Sequence, residues 1–481
     1  MMIDKAEVKK IEMMGNEGII RNHKERDLMY RKVREVHFVG IGGIGMSGIA
    51  EVLLNLGYRI TGSDLNESDI THRLVSMGAR ICKGHHASHV GFADVVVTST
   101  AVKADNPEVL AAHQRGIPVI PRAEMLAELL KMKFSIAVSG MHGKTTTTSM
   151  ISTILAHGGM DPTMVIGGKL ASIGSNARLG DGEVIVAEAD ESDGSFLKLS
   201  PTIIVITNID REHMDYYRDI EQIKDAFLQF ANSVPFYGSV ILCLDDEHVR
   251  EILTRIKRRV ITYGITEAAD YQAKEISCKG SSTNYVLYYK GKKSGDVTLN
   301  VPGLHNVFNS IAAVAVAREL DLAHPVVLEG MSAFMGVHRR LEVKGKRNGV
   351  LVVDDYGHHP TEIRATLSAA KQAWNSKRLV VFQPHRYTRT KALFNEFLGC
   401  FENADSVILT DIYAASEKEI DGVHASKLCD AIRDNGHKDV AYIPDFDDIV
   451  DHLLNVAQPG DVIITQGAGN VWKVGEEYLK K

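Results

Sequence analysis

Short, nearly continuous apolar runs alternate along most of the chain with segments whose apolar residues recur at helical spacing. Val36 to Val39, Asp94 to Ser99, Phe134 to Ser139, Val184 to Ala187 and Thr202 to Thr207 read as strands covered on both faces. So do Val350 to Val353, Leu379 to Phe382, Ser406 to Thr410 and Asp461 to Thr465. Between them, the spacing predicts helices over Met46 to Leu56, Asn106 to Arg115, Thr147 to His157 and Ile311 to Glu319. Strand, helix, strand in repetition predicts parallel sheets with crossover helices, an α/β protein. The rhythm breaks between Ser239 and Pro302, where shorter strands include a predicted hairpin, Asn284 to Tyr289 and Val297 to Val301, turning over Lys290 to Gly295. It resumes after His338-Arg339-Arg340. The expected organisation is an extension over 1–34, a Rossmann-like domain over 35–122, a central phosphate-loop domain over 123–335 and a second Rossmann-like domain over 336–481.

A chain of 481 residues exceeds what one core supports, in keeping with three domains. A net charge of −6 argues against a nucleic-acid-binding surface over the whole molecule. The five cysteines, Cys82, Cys243, Cys278, Cys400 and Cys429, are odd in number and none has CxxC spacing, so neither a disulfide framework nor a zinc site is expected. No apolar run is long enough to span a bilayer, and the charged N-terminus lacks a signal-peptide core. These features predict a cytoplasmic protein without membrane insertion. Met1 to Arg34 is polar and mixed in charge, a frayed helix or a disordered tail.

The strand ends carry the chemistry. Phe134 to Ser139 runs into Gly140-Met141-His142-Gly143-Lys144-Thr145-Thr146 and then a helix, the arrangement that cradles phosphates. Backbone amides wrap the anion, lysine reaches the terminal phosphates and a hydroxyl meets Mg²⁺. The full motif places glycine where Val138 stands, so the loop is a shortened variant. Upstream, Gly40-Ile-Gly42-Gly43-Ile-Gly45 follows a strand, with Asp64 some way beyond it; alone, this dinucleotide fingerprint favours a nicotinamide or flavin cofactor. Four acids, Glu188, Asp190, Glu191 and Asp193, follow the strand at Val184, where carboxylates can hold Mg²⁺ on a nucleotide. His213 lies between carboxylates after the next strand. Polar residues from Gly303 to Asn309 either cap a helix or read a base. In the last domain the strand at Val350 delivers Asp355, Tyr356 and His358, and that at Leu379 delivers His385, Arg386 and Arg389; the arginines and histidines among them suggest binding of carboxylate or phosphate. Hydride transfer needs one dinucleotide and no ATP, whereas two nucleotide-type sites suit activation of an acid by phosphoryl transfer followed by amine attack.

The chain resembles the Mur ligases of peptidoglycan synthesis. The likeness is carried by GIGGIGMSGIAEVL (Gly40 to Leu53), TGSD (Thr61 to Asp64), GMHGKTTT (Gly140 to Thr147), EADESD (Glu188 to Asp193), TNIDREHMD (Thr207 to Asp215), GLHNVFN (Gly303 to Asn309), DDYGHHPTEI (Asp354 to Ile363) and QPHRYTR (Gln383 to Arg389), and runs from about Glu35 to the C-terminus. Met141 replaces the usual Thr or Ser, at a position that contributes mainly backbone. The lysine that other Mur ligases carbamylate near the metals has no clear counterpart. The resemblance implies three small-molecule substrates, UDP-N-acetylmuramate, L-alanine and ATP, with Mg²⁺ as cofactor, in a monomer or homodimer. It replaces the nicotinamide reading: the sugar nucleotide would lie on Gly40, Gly42, Gly43 and Gly45 with Ser63, Asp64 and Ser99. ATP would meet Gly140 to Thr146, Asn306, Arg339, Arg340, Asp355, Tyr356 and His358. Thr145, Glu188 and His213 would hold metal, with Lys144, Glu188 and His213 catalytic. His385, Arg386 and Arg389 would orient the amino acid and the muramyl carboxylate. A recycling ligase that adds a preformed peptide to the same sugar is the closest alternative.

Overall fold

The computed structural model describes residues 32–99, 101–166, 177–214, 216–415 and 417–481. The expected N-terminal tail, except its last three residues, and Asp215 lie outside them.

Three sheets organise the described residues. The first is wholly parallel, with spatial order Arg80–Lys83, Arg59–Asp64, Glu35–Val39, Val95–Thr98 and Val119–Pro121. The order reverses beside Glu35–Val39, and the glycine-rich turn leaves the carboxyl end of that strand, where an open parallel sheet forms its ligand crevice. The middle sheet has ten strands, with Phe134–Ser139 between Ile203–Ile206 and Val184–Glu188. An antiparallel meander over Tyr271–Lys279, Ser282–Tyr289 and Lys292–Leu299 extends one side. The third sheet has six strands and one antiparallel edge, Glu342–Arg347.

The first two units share an apolar core. The helix Arg122–Lys131 buries Met125, Leu126, Leu129 and Leu130, and the cluster continues from Phe38 and Ile49 to Ile185 and Phe227. Non-directional burial of this kind holds the two units as one. The third unit keeps separate cores around Phe382 and Phe401 and around Ile463 and Tyr478. Several of its contacts with the middle unit are polar: Thr361 donates to Asp210, Arg389 to Glu212 and Cys278 to Gln372.

Some boundaries differ from the sequence expectation. The phosphate-loop helix starts at Lys144 rather than Thr147, and the helix expected from Ile311 starts at Leu304. In both, the first turn is polar because it borders the site, so the apolar period begins late. The hairpin turns over Lys290 and Gly291 alone, both with positive φ (47° and 75°), the geometry that matches strand twist in a two-residue turn.

A buried polar knot anchors the first sheet. Glu108 is fully buried; it accepts from Ser63 Oγ (2.6 Å) and the His86 amide (3.1 Å), with His37 Nε2 at 3.3 Å and His89 Nδ1 at 3.0 Å. Burial would raise its pKa, but hydrogen bonds from His37, Ser63 and His86 outweigh it and hold the carboxyl at about 2. A carboxyl depressed from the usual 4.5 stabilises the fold above the unfolded value, and that contribution is lost as pH falls from about 4.5 to 2. Glu108→Gln is therefore expected to lose about 3 kcal/mol at neutral pH and to flatten the stability profile between those limits. Denaturant unfolding across that pH series checks this; an unchanged slope contradicts it.

Candidate active site

Gly140 and Gly143 have φ of 131° and 83°, a conformation open to glycine, and they turn the chain from the central strand Phe134–Ser139 into the helix Lys144–His157. No side chain caps that helix, which leaves its first-turn amides for an anion. The neighbouring strand end pins the loop: the His142 amide donates to Asn208 Oδ1 (2.9 Å), and the His142 carbonyl accepts from Thr207 Oγ1 (2.6 Å) and Asn208 Nδ2 (2.9 Å). Met141 is buried in the apolar core and acts here through its backbone, its carbonyl accepting from Lys144 Nζ at 3.3 Å.

Lys144 curls beneath the loop, donating to Gly140 O (2.6 Å) and Glu191 Oε1 (2.7 Å). Burial alone would lower its pKa, but Glu191, with Asp190 and Glu212 farther off, keeps the ammonium charged. Glu191 is fully buried, and Tyr217 Oη donates to its carbonyl (2.6 Å). His213 Nε2 lies 3.7 Å from Glu191 Oε1 and 4.0 Å from Glu212 Oε2; these carboxylates outweigh burial and raise the imidazole's pKa. Glu188 ends the strand beside the loop, in register with Val138.

A cavity of about 430 Å³ opens between the middle and third units. His142, Gly143, Thr145, Thr146, Asn306, Arg340 and Asp355, all among the residues expected at ATP, line it. Asn306 is held by Pro302 O (2.7 Å) and Asn309 Nδ2 (3.3 Å). Asp355 accepts from the Leu341 amide (2.9 Å) and Thr366 Oγ1 (2.9 Å), and burial raises its pKa. Arg340 faces Glu362 Oε1 at 3.6 Å.

Arg339 corrects the expectation. Its guanidinium turns into the third unit, donating to Asp354 Oδ2 (2.8 Å), Gly467 O (2.7 Å) and Gly469 O (3.2 Å), so it braces that unit instead of lining the cavity. The buried Asp354 holds this guanidinium. Both guanidiniums lie over the Tyr356 ring, 5.1 and 5.4 Å from its centre. His358 lies 3.7 Å from Glu212 and 3.6 Å from Glu362.

The His385 cluster forms beside this cavity. Arg389 donates to Glu212 Oε1 (3.1 Å) and contacts His385 Nδ1 (2.9 Å), and His385 stacks on Tyr413 at 5.7 Å. Burial and the charges of His358, Arg389 and Arg386 push His385 down to about 3, so it stays neutral. Arg386 holds a positive φ of 70°, and its buried Nε has no hydrogen-bond partner among the described residues.

In the first unit, the Gly40 and Ile41 amides donate to Ser63 O at 2.8 and 3.0 Å. Gly43 begins the helix Ile44–Asn55 without a side-chain cap. Asp64 Oδ2 accepts from the Gly42 amide (2.8 Å), and a Cβ on Gly45 would sit 2.8 Å from Arg122. Ser63 departs from its expected ligand role: it faces inward, its hydroxyl committed to Glu108. Ser99 is half-buried at the neighbouring strand end.

Family models match all three units: the Mur ligase family catalytic domain over 35–134, the Mur ligase middle domain over 138–317 and the Mur ligase glutamate ligase domain over 339–469. The chain belongs to the Mur ligase family. UDP-N-acetylmuramate–L-alanine ligases of Syntrophus aciditrophicus and Geobacter sulfurreducens are 67% and 58% identical to this Mur ligase, over 95% and 94% of its length and 95% and 98% of theirs. The crystal structure of the UDP-N-acetylmuramate–alanine ligase of Thermotoga maritima aligns with a TM-score of 0.79 at 30% identity, covering 93% of this chain and 98% of that one. A murein peptide ligase of Psychrobacter arcticus aligns at 0.68 and 25%, with the same coverage. The family uses ATP.

Sequence reasoning missed part of the wall. The segment from Ser239, for which the sequence named no candidate residue, contributes Asp245, Asp246 and Tyr263 to the cavity. Asp245 and Asp246 come one residue after a buried strand, Ser239–Cys243, the same signal that marked the other loops. Asp210, Thr361 and Glu362 also line the cavity and meet only across the interface between units.

Proposed function

We propose that this Mur ligase joins L-alanine to the carboxylate of UDP-N-acetylmuramate, driven by ATP, in the supply of peptidoglycan precursors. One observation carries the reading: two phosphate-type turns, Gly40 to Gly45 and Gly140 to Lys144, open on different sheets of one chain. The high identity to alanine-adding relatives specifies the amino acid.

The sugar nucleotide's diphosphate sits on the amides of the helix starting at Ile44, and ATP occupies the cavity, its terminal phosphates at Lys144. Attack of a carboxylate on a triphosphate brings anions together, so Lys144 and Arg340 neutralise the moving phosphoryl oxygens. Thr145 and Glu188 offer the hard oxygen donors that Mg²⁺ prefers, and His213 stands at the edge of that acid cluster, toward a second metal or the substrate carboxylate. Bound Mg²⁺ would supply further charge neutralisation. The acyl phosphate so formed is attacked by alanine's amine through a tetrahedral intermediate, releasing phosphate. His385, Arg386 and Arg389 orient the carboxylates, and closure of the third unit excludes water. ATP and sugar nucleotides are cytoplasmic metabolites, which places the reaction there. Among the described residues, no helix is long and apolar enough to cross a membrane.

Enzyme mixed with ATP, Mg²⁺, UDP-N-acetylmuramate and L-alanine is expected to release ADP and phosphate at least tenfold faster than without alanine. Equal rates, or acceleration by a preformed peptide and not by alanine, would overturn the reading.

A further inference from the structure

Three potential ligands converge where the phosphate loop meets the third unit. His142 extends from the loop, Asp210 from the end of the adjacent strand, and His359 from the start of the helix Pro360–Ala373. One donor atom from each lies within 4.8 Å of the others. His142 Nε2 is 3.0 Å from Asp210 Oδ2, and His359 Nδ1 is 3.8 Å from the same oxygen. Four donors arranged tetrahedrally at about 2.1 Å from an ion stand roughly 3.4 Å apart, so the His142–Asp210 pair is already near that spacing and the wider separations, within 4.8 Å, must close by at most about 1.4 Å.

Two further observations point to a ligand. His359 is buried; its Nδ1 accepts from the Thr361 amide at 3.3 Å and caps the helix, which leaves its Nε2, without a hydrogen-bond partner among the described residues, as the nitrogen open to an ion, while His142 Nδ1 lies 3.6 Å from Glu362 Oε1. Asp210 and His142 also border the nucleotide cavity, which gives an ion a path inward. The Thr361 hydroxyl donates to Asp210 Oδ2 (2.9 Å), and the His142 amide is fixed by Asn208, so carboxylate and loop are held in place.

We infer that His142, Asp210 and His359 form a seat for a transition-metal dication of the zinc type, separate from the Mg²⁺ that accompanies ATP. Two imidazoles and one carboxylate suit Zn²⁺ or Co²⁺ and are poorly matched to Mg²⁺, which prefers an all-oxygen shell. The fourth position faces the cavity and takes water or a phosphate oxygen. Because His359 belongs to the third unit and the other ligands to the middle one, a bound ion clips the two together and slows turnover by hindering reopening.

The test titrates nucleotide-free enzyme with Zn²⁺ in excess Mg²⁺, against a chromophoric chelator. His359→Asn keeps a good helix cap while removing the imidazole, and Asp210→Asn keeps shape. Each variant is expected to lose one equivalent of tight Zn²⁺, with affinity at that site falling at least tenfold. Glu188→Gln, which alters the acid expected at Mg²⁺, and Cys82→Ser, which removes an exposed thiol, are expected to retain it. Co²⁺ should give a tetrahedral visible spectrum in wild type that His359→Asn lacks. Unchanged stoichiometry and affinity in both cluster variants, with melting temperatures like wild type, would overturn the inference. The readout is binding, so its failure is distinguishable from failure of the ligase reading.

Discussion

Lys144→Ala is expected to lower kcat/KM for ADP formation by about 10³-fold, the scale set by removing a charge that stabilises a moving phosphoryl group. The same change strips a partner from the fully buried Glu191, which among the described residues keeps only His213, at 3.7 Å, as a charged partner. An uncompensated buried carboxylate costs about 3 kcal/mol, so the variant is also expected to melt earlier. Adding Glu191→Gln separates the effects. The double variant should recover most of the stability, because the unpaired charge is gone, while turnover stays lost. Phosphate release and thermal melting on the same preparations check this. Restored turnover in the double variant would show that Lys144 serves the fold and not the reaction.

Gly140→Ala carries the second large expectation. At φ 131° a side chain is strained, and its Cβ would fall 2.0 Å from Thr207 Oγ1 and 3.1 Å from the Asn208 backbone. Thr207 cannot swing aside without dropping the His142 carbonyl it holds. The expected cost is about 3 kcal/mol or more, with ATP affinity falling at least tenfold in protein that still folds at low temperature. Thr207→Ala on this background removes the close contact but not the backbone strain, so it should restore stability only in part. Calorimetric ATP binding with melting scans decides the matter; wild-type values for Gly140→Ala would contradict the geometry.

These expectations start from a motif the sequence displays openly. Gly-Met-His-Gly-Lys-Thr follows a six-residue apolar strand, and the covalent order of strand, turn and helix dictates a phosphate cradle locally. The glycine turn after Val39 is local in the same way, and so is the placing of His385, Arg386 and Arg389 at a strand end. What was misjudged depends on contacts distant in sequence. Arg339 and Arg340 look interchangeable as a pair; only the position of Asp354 and the Gly467 carbonyl decides which guanidinium braces a domain and which reaches the cavity. Ser63 reads as a loop residue near a ligand until Glu108, 45 positions later, draws its hydroxyl into the core.

The residues alone therefore determined the α/β class, the two phosphate-type turns and the polar strand ends, because periodicity and turn chemistry act over a few neighbouring positions. Tertiary structure decided which charges are partnered. Lys144 with Glu191, Arg389 with Glu212, and His142 with Asp210 and His359 join segments 47 to 217 positions apart or contact across units. Such pairings are set by how sheets and helices pack, and electrostatic consequences such as the neutral His385 or the buried carboxylate of Glu108 exist only once water has been excluded around them.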